Sequence, residues 1–251
     1  LLVSLGIRHA FGLFLQPVTM DQGWGRETFA FAIALQNLVW GFSQPFMGML
    51  SDRFGARPVV ASGALLYGLG LWVMSQVAGE VVFIFGAGVL IGLGLSGTTF
   101  PVIFGAISRL VAPKQRSFAM GITMSVGSFG QFAMLPISLG LITGLEWQSA
   151  LIVLSILAIL MFPLAFGIRS ASPSTFFAEE DVSFTQALRD AFGLRDFWLL
   201  SLGFFACGFQ VVFIAVHLPA FLMDKGVGDG VAMTVLALIG LVNIAGTYYA
   251  G

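Results

Sequence analysis

Eight runs of mostly apolar residues divide this 251-residue chain, and each is close to the roughly 20 residues that a helix needs to cross a bilayer core. They cover about 1–19, 28–50, 58–78, 81–108, 118–144, 147–168, 197–222 and 231–251. Hydrocarbon offers no hydrogen bonds, so a spanning segment must be a helix or part of a closed barrel. These runs are too long and too continuously apolar for alternating barrel strands. Composition agrees: 58% of residues are hydrophobic and 9% charged, against about a quarter charged in soluble domains. The expectation is an all-α, multi-pass membrane protein whose first and last spans are cut short.

A net charge of -1 with no clustered basic segment excludes nucleic acid as a partner, because neutralising phosphates takes such a cluster. The single cysteine, Cys207, leaves no intramolecular disulfide and no cysteine cluster for a metal. Neither a metal nor a cofactor is expected. The chain opens on Leu1, already inside an apolar run, so it reads as an internal fragment in which no cleavable signal peptide is visible.

Basic residues set the orientation. Arg53 and Arg57 follow the second span, Arg109, Lys114 and Arg116 the fourth, and Arg169, Arg189 and Arg195 bracket the sixth-to-seventh connection. The opposite loops hold only Arg26 and Lys225. The positive-inside rule makes the first set cytoplasmic, which places the N-terminus inside. The connection from Ser170 to Asp196 also carries Glu179, Glu180 and Asp181 and divides the chain. Within it, Ser183 and Gln186 have capping-box spacing, and Phe184, Leu188 and Phe192 recur every fourth residue, the pattern of an amphipathic helix lying along the interface. A partly ordered linker is the alternative, since so short a helix is marginal alone.

The sequence repeats itself. "MDQGWG" from Met20 and "MDKGVG" from Met223 each separate two apolar runs. At the same offset Ala34, Leu35, Leu38 and Val39 meet Ala237, Leu238, Leu241 and Val242, and Gly48 meets Gly251. Repeats at such spacing mark two transporter halves built from one unit. The chain then comprises a six-helix unit over 1–169, a connection over 170–196, and the first two helices of a second unit over 197–251.

After the second span stands Gly48-x-x-x-Asp52-Arg53-x-Gly55-x-Arg57. Gly48 removes a side chain where a neighbouring helix could pack closely, and Gly55 permits a turn. Asp52 can accept backbone N–H bonds at a helix N-terminus, with Arg53 and Arg57 as ion-pair partners. A charge cluster that only fixes topology is the plainer reading, but it would need neither the glycines nor the acid. The motif resembles the signature after the second helix of the major facilitator superfamily. That resemblance implies the major facilitator fold, two six-helix bundles around a central cavity, of which about eight helices are present here. It also implies that the motif latches the cytoplasmic ends of the bundles. "IRHAFGLFLQPV", "DQGWGRETFAFAIA" and "GSFGQFAMLP" further resemble bacterial relatives of the monocarboxylate and oxalate/formate transporters.

Arg8 lies about eleven residues inside a first span ending near Thr19, or roughly 16 Å deep, close to the bilayer midplane. A charge there is costly, so it faces a bundle interior or a wet cavity, where a guanidinium can hold a carboxylate bidentately. A structural ion pair or carbonyl clamp is the competing reading. Gln16 continues its helical stripe, while His9 points about 100° away. Gln36, Asn37, Gln131, Gln210, His217 and Asn243 complete the candidate substrate-binding set, although each alone reads equally well as interhelical glue. His217 is also a candidate outer proton site.

No Asp or Glu lies within a span. Drug/proton antiporters of the superfamily carry Arg-x-x-x-Gly in the fourth helix, where Gly88 stands here before Gly92. Animal monocarboxylate transporters place an Asp and an Arg in the eighth helix, and this eighth run has neither. Hydrolase, zinc-protease and P-loop motifs are missing from the sequence, so no enzyme or ATP-driven pump is expected. The reading is a monomeric secondary transporter of small organic anions, with the lipid bilayer and a coupled proton as its other partners, in a bacterial cytoplasmic membrane. The alternatives are a transporter of another small metabolite and a transporter-like receptor.

Overall fold

A computed structural model describes residues 1–76, 79–168 and 184–250, and every regular element among them is helical. The first run folds as α1 (Leu2–His9), a 3-10 stretch (Ala10–Phe14) and α2 (Leu15–Gln22). Next come α3 (Arg26–Phe54) and α4 (Ala56–Ser75), joined at Gly55 with φ +87°. The expected turn is therefore present, in a backbone region that favours glycine. α3 runs 29 residues, about 43 Å at the helical rise, with Gln36, Asn37 and Gln44 breaking its apolar character.

The fourth run is less simple than its composition suggests. α5 (Glu80–Ile84) passes through a π-helical turn (Phe85–Leu90) into α6 (Ile91–Thr98), Thr99 is extended at φ −118° and ψ −152°, and α7 (Phe100–Leu110) restarts. Pro101 explains the restart: it lacks an N–H and disfavours helix just before it, yet fits the first turn of a new helix. α8 (Arg116–Gly144), α9 (Trp147–Ile159) and α10 (Met161–Ala165) follow, then α11 (Phe184–Gly193), α12 (Arg195–Asp224) and α13 (Asp229–Ala250). Each of the eight expected runs is mainly helical among the described residues. Among the described residues, five stretches are long and apolar enough to cross a membrane: Ala56–Ser75, Glu80–Leu110, Pro113–Gly144, Trp147–Ala165 and Arg195–Asp224.

The main core joins Ile7, Phe11 and Phe14 of the first run to Phe29, Tyr67, Leu95 and Leu154. Glycines bring the fourth run into backbone contact with α3 and α4. A β-carbon on Gly94 would stand 2.7 Å from Tyr67 N, and one on Gly92 would stand 2.9 Å from Gln36 O. Small residues at crossings do this in membranes, where packing rather than water exclusion drives association.

α12 crosses the 3-10 stretch so closely that a β-carbon on Gly12 would lie 2.3 Å from Ala215 O. α13 packs along α8, with Leu236 and Ala237 buried against Leu135, Ala10 and Leu13. The other face of α12 carries exposed Phe205, Phe209 and Phe213, stacked at 6.4 and 6.2 Å, which suits hydrocarbon better than water.

The repeat has a conformational counterpart. Gly23 and Gly226, at equivalent positions, both take positive φ, 65° and 77°. Asp21 accepts from Trp147 Nε1 at 3.1 Å and Gln148 Nε2 at 3.2 Å. Its counterpart Asp224 takes both Arg26 guanidinium nitrogens, at 2.7 and 2.9 Å. That hydrogen-bonded guanidinium holds the Asp224 carboxyl below the ordinary carboxylate range. The amphipathic segment is helical as α11, anchored where Phe192 stacks on Trp198 at 5.6 Å and accepts its indole N–H at 2.9 Å. Ser183 lies outside the described residues, and Gln186 Nε2 donates to Asp190 Oδ1 at 3.0 Å.

Candidate functional site

Arg8 is the penultimate residue of α1, two residues before the 3-10 stretch begins. Its Nη2 donates to Asn37 Oδ1 at 2.5 Å, and its guanidinium carbon lies 4.7 Å from the centre of the Trp40 ring. Asn37 and Trp40 are three residues apart on α3, hence on one face. Asn37 Nδ2 donates to Ile33 O at 2.7 Å, which fixes the amide with its oxygen toward Arg8. Trp40 Nε1 donates to Thr99 Oγ1 at 3.0 Å, and Thr99 in turn donates to Leu95 O at 2.6 Å. Tyr67, fully buried on α4, donates to Ser4 O at 2.9 Å, one turn before Arg8.

Electrostatically the site is unusual for a half-buried cation. The guanidinium meets an amide dipole and the negative face of an indole, and among the described residues no carboxylate lies within 4.0 Å of it. Arg8 Nε is buried without a hydrogen-bond partner. Among the described residues the competing reading of a structural ion pair has no acid within 4.0 Å to name.

The other expected residues divide. Asn37 joins Arg8. Gln36 is fully buried and donates to Ala87 O at 2.8 Å, the work of interhelical glue. Gln16 lies away from Arg8, in a cavity of about 260 Å³ lined by Leu13, Pro17, Met20, Ile142, Thr143 and Met223, among others. Gln131 is half-buried on α8, while Gln210, His217 and Asn243 are exposed on α12 and α13. The His217 ring packs 5.0 Å from Phe213. His9 is buried and its Nε2 has no hydrogen-bond partner among the described residues.

The motif after the second span pairs differently from expectation. Asp52 bonds to Arg109 at the end of α7, whose other nitrogen reaches Ser51 Oγ at 3.2 Å. Arg53 is exposed and leans over Phe54, and Arg57 donates to Ile168 O at 3.2 Å. Neither is the partner of Asp52. Nor does Gly48 serve a close approach: a β-carbon there would meet Pro101 Cβ at an ordinary 3.8 Å. The physical reason is one of reach, because α7 returns beside the end of α3 and presents Arg109 laterally. The ion pair thus ties the second span to the fourth.

Sequence reasoning missed Trp40 and Thr99. A tryptophan within an apolar run reads as core, and the signal that could have found the pair was Pro101, which marks a helix restart beside Thr99.

Comparison with known proteins places this arrangement. The family model described as Major Facilitator Superfamily matches residues 1–251. The chain belongs to the major facilitator superfamily. As a member, it is an integral multi-pass membrane protein of all-α fold. It is 26% identical over 254 residues to monocarboxylate transporter 13 of Bos taurus, covering 98% of this chain and 57% of that protein. To monocarboxylate transporter 11 of Homo sapiens it is 27% identical over 245 residues, with 94% and 50% covered. To the uncharacterized MFS-type transporter YcxA of Bacillus subtilis (strain 168) it is 25% identical over 256 residues, with 97% and 60% covered. The chain spans about half to three-fifths of the length of these curated relatives.

Proposed function

We propose that this facilitator-superfamily protein carries small organic anions, monocarboxylates in particular, across a bacterial cytoplasmic membrane by alternating access, with Arg8 as the anion's partner. The observation that carries the reading is a guanidinium within the bundle that has no acid beside it among the described residues and an unpartnered Nε. A half-buried cation left in that state is stabilised by an incoming carboxylate more than by any neighbour it now has. The names of the mammalian relatives point to the same substrate class.

In this reading residues 1–169 form the first bundle, 170–196 a cytoplasmic connection, and 197–251 the first two helices of the second bundle. The N-terminus and the Asp52 motif face the cytoplasm, and the Asp21 and Asp224 loops face outward. The protein works as a monomer, with a proton as the candidate coupling ion. Gln16, Gln131, Gln210, His217 and Asn243 serve along the pathway. The Gly48-Asp52-Arg53-Gly55-Arg57 segment acts as a conformational latch between the cytoplasmic ends of the two bundles, while the Asp52–Arg109 pair holds the second and fourth spans of the first bundle together.

The test is uptake of labelled acetate, lactate and pyruvate into proteoliposomes holding the full-length protein, with and without an inward proton gradient. Arg8→Gln is expected to lose the uptake while still inserting. Normal transport by that variant, or no transport of any acid by the wild type, would sink the anion reading.

A further inference from the structure

Trp40 sits where a membrane tryptophan is least expected. Such residues favour the two interfaces, with the indole N–H at the headgroups. Trp40 is instead fifteen residues along α3, about 21 Å from its start and close to its middle. Its N–H is given to Thr99 Oγ1 at 3.0 Å, and its face to the Arg8 guanidinium at 4.7 Å. Both ends of the indole are therefore committed inside the protein. Thr99 is not an ordinary helical residue either: it is the extended link between α6 and α7, with its hydroxyl hydrogen given to Leu95 O. That leaves a lone pair of Oγ1 for the indole, and the direction of the chain Trp40 to Thr99 to Leu95 is set.

We propose that Trp40 is a positioning residue for the anion site, a platform held at the fourth-span break that presents the Arg8 guanidinium edge-on to its ligand. This rests on the reading of Arg8 as the anion's partner. An aromatic face attracts a guanidinium without consuming any N–H. With Asn37 taking a single hydrogen from Nη2, the remaining terminal N–H groups of the half-buried Arg8 are left for a planar, two-point carboxylate contact. A carboxylate partner in place of Trp40 would hold Arg8 as firmly but would neutralise it, and the charge would be lost to the substrate. The indole fixes direction and preserves charge, and Thr99 extends the control of its tilt to the break before Pro101.

The experiment is initial-rate uptake into proteoliposomes of whichever of acetate, lactate and pyruvate the full-length wild type moves fastest, comparing Trp40→Leu, Trp40→Phe, Thr99→Val and the Trp40→Phe/Thr99→Val double variant. Trp40→Leu removes the platform, and KM is expected to rise roughly 10- to 30-fold with little change in maximal rate. Trp40→Phe keeps a ring face but no N–H, and Thr99→Val keeps the shape but no acceptor. Each should raise KM only about threefold, and the double variant no further than either single one, because both remove the same bond. A KM within twofold of wild type in Trp40→Leu, or independent additive effects of Trp40→Phe and Thr99→Val, overturns the positioning role even when Arg8→Gln behaves as an anion-site variant should. Loss of maximal rate in Trp40→Leu without recovery in Trp40→Phe also overturns it, by making the residue merely structural. If the wild type moves none of the acids, the Arg8 reading fails first and this role falls with it.

Discussion

Replacing Gly12 by alanine should bias the protein between its conformations. The glycine lies where the 3-10 stretch of the first run meets α12, the seventh run, and the added β-carbon would stand 2.3 Å from Ala215 O. The obstacle is backbone, so no side chain can rotate away. Restoring an ordinary carbon–oxygen contact takes an opening of about 1 Å or more, and overpacking of this kind costs about 1–3 kcal/mol. Charged only to the state with these helices in contact, that amount shifts the equilibrium about 5- to 150-fold toward states in which they part. Gly203→Ala, on the same helix with nothing within 4 Å of its β-carbon, is the matched control. The assay is the labelling rate of Gln16→Cys, in a Cys207→Ser background, by a membrane-impermeant maleimide added outside. Faster labelling in the Gly12→Ala protein and no change in the Gly203→Ala protein is expected. Equal rates in all three would refute the idea that this crossing closes the outer side.

Three further outcomes follow from named contacts. Arg26→Asp should speed the same labelling, because it removes the two-point bond to Asp224, and the exchanged pair Arg26→Asp/Asp224→Arg should restore the slow rate. Since Asp224 carries a lowered pKa through Arg26, the pairing persists through neutral pH and is lost only as pH falls through that depressed value; the ratio of Arg26→Asp to wild-type labelling rates should therefore hold steady near pH 7, and a ratio falling toward one there would contradict this. Arg109→Gln should destabilise the purified protein by about 1.5–3 kcal/mol, the worth of a hydrogen bond to a charged group, whereas Arg53→Gln should fall within about 0.5 kcal/mol as a surface change, both read as thermal unfolding shifts in detergent. Gly94→Ala should lower thermal stability by about 1–3 kcal/mol through its clash with the Tyr67 backbone, and a neutral result would mean the third and fourth spans are not held in backbone contact.

The parts of this structure that were legible in advance are those decided locally. A run of twenty apolar residues has one economical conformation in lipid, so all eight runs were readable. Gly55 announced its turn, and Met20 and Met223 announced equivalent helix ends that the positive φ of Gly23 and Gly226 now match. Arg8 could be singled out because charge at that depth is expensive wherever it points. What could not be read were pairings between distant segments. Asp52 was assigned to the arginines beside it, yet Arg109, 57 residues away, wins because helix ends meet laterally. Gln36 and Asn37 are neighbours in sequence, but only Asn37 faces Arg8 while Gln36 turns to Ala87, a distinction set by the rotation of α3 in its packing. Trp40 stayed hidden because its role depends on a helix break in another span.

The central claim is that Arg8 is charged and available for an organic anion, and equilibrium binding tests it without requiring transport. Titration of purified full-length protein with radiolabelled lactate, acetate and pyruvate should show saturable binding of at least one acid that is lost in Arg8→Gln, while the variant keeps the wild-type elution profile. Saturable binding that survives Arg8→Gln with unchanged affinity would contradict the account.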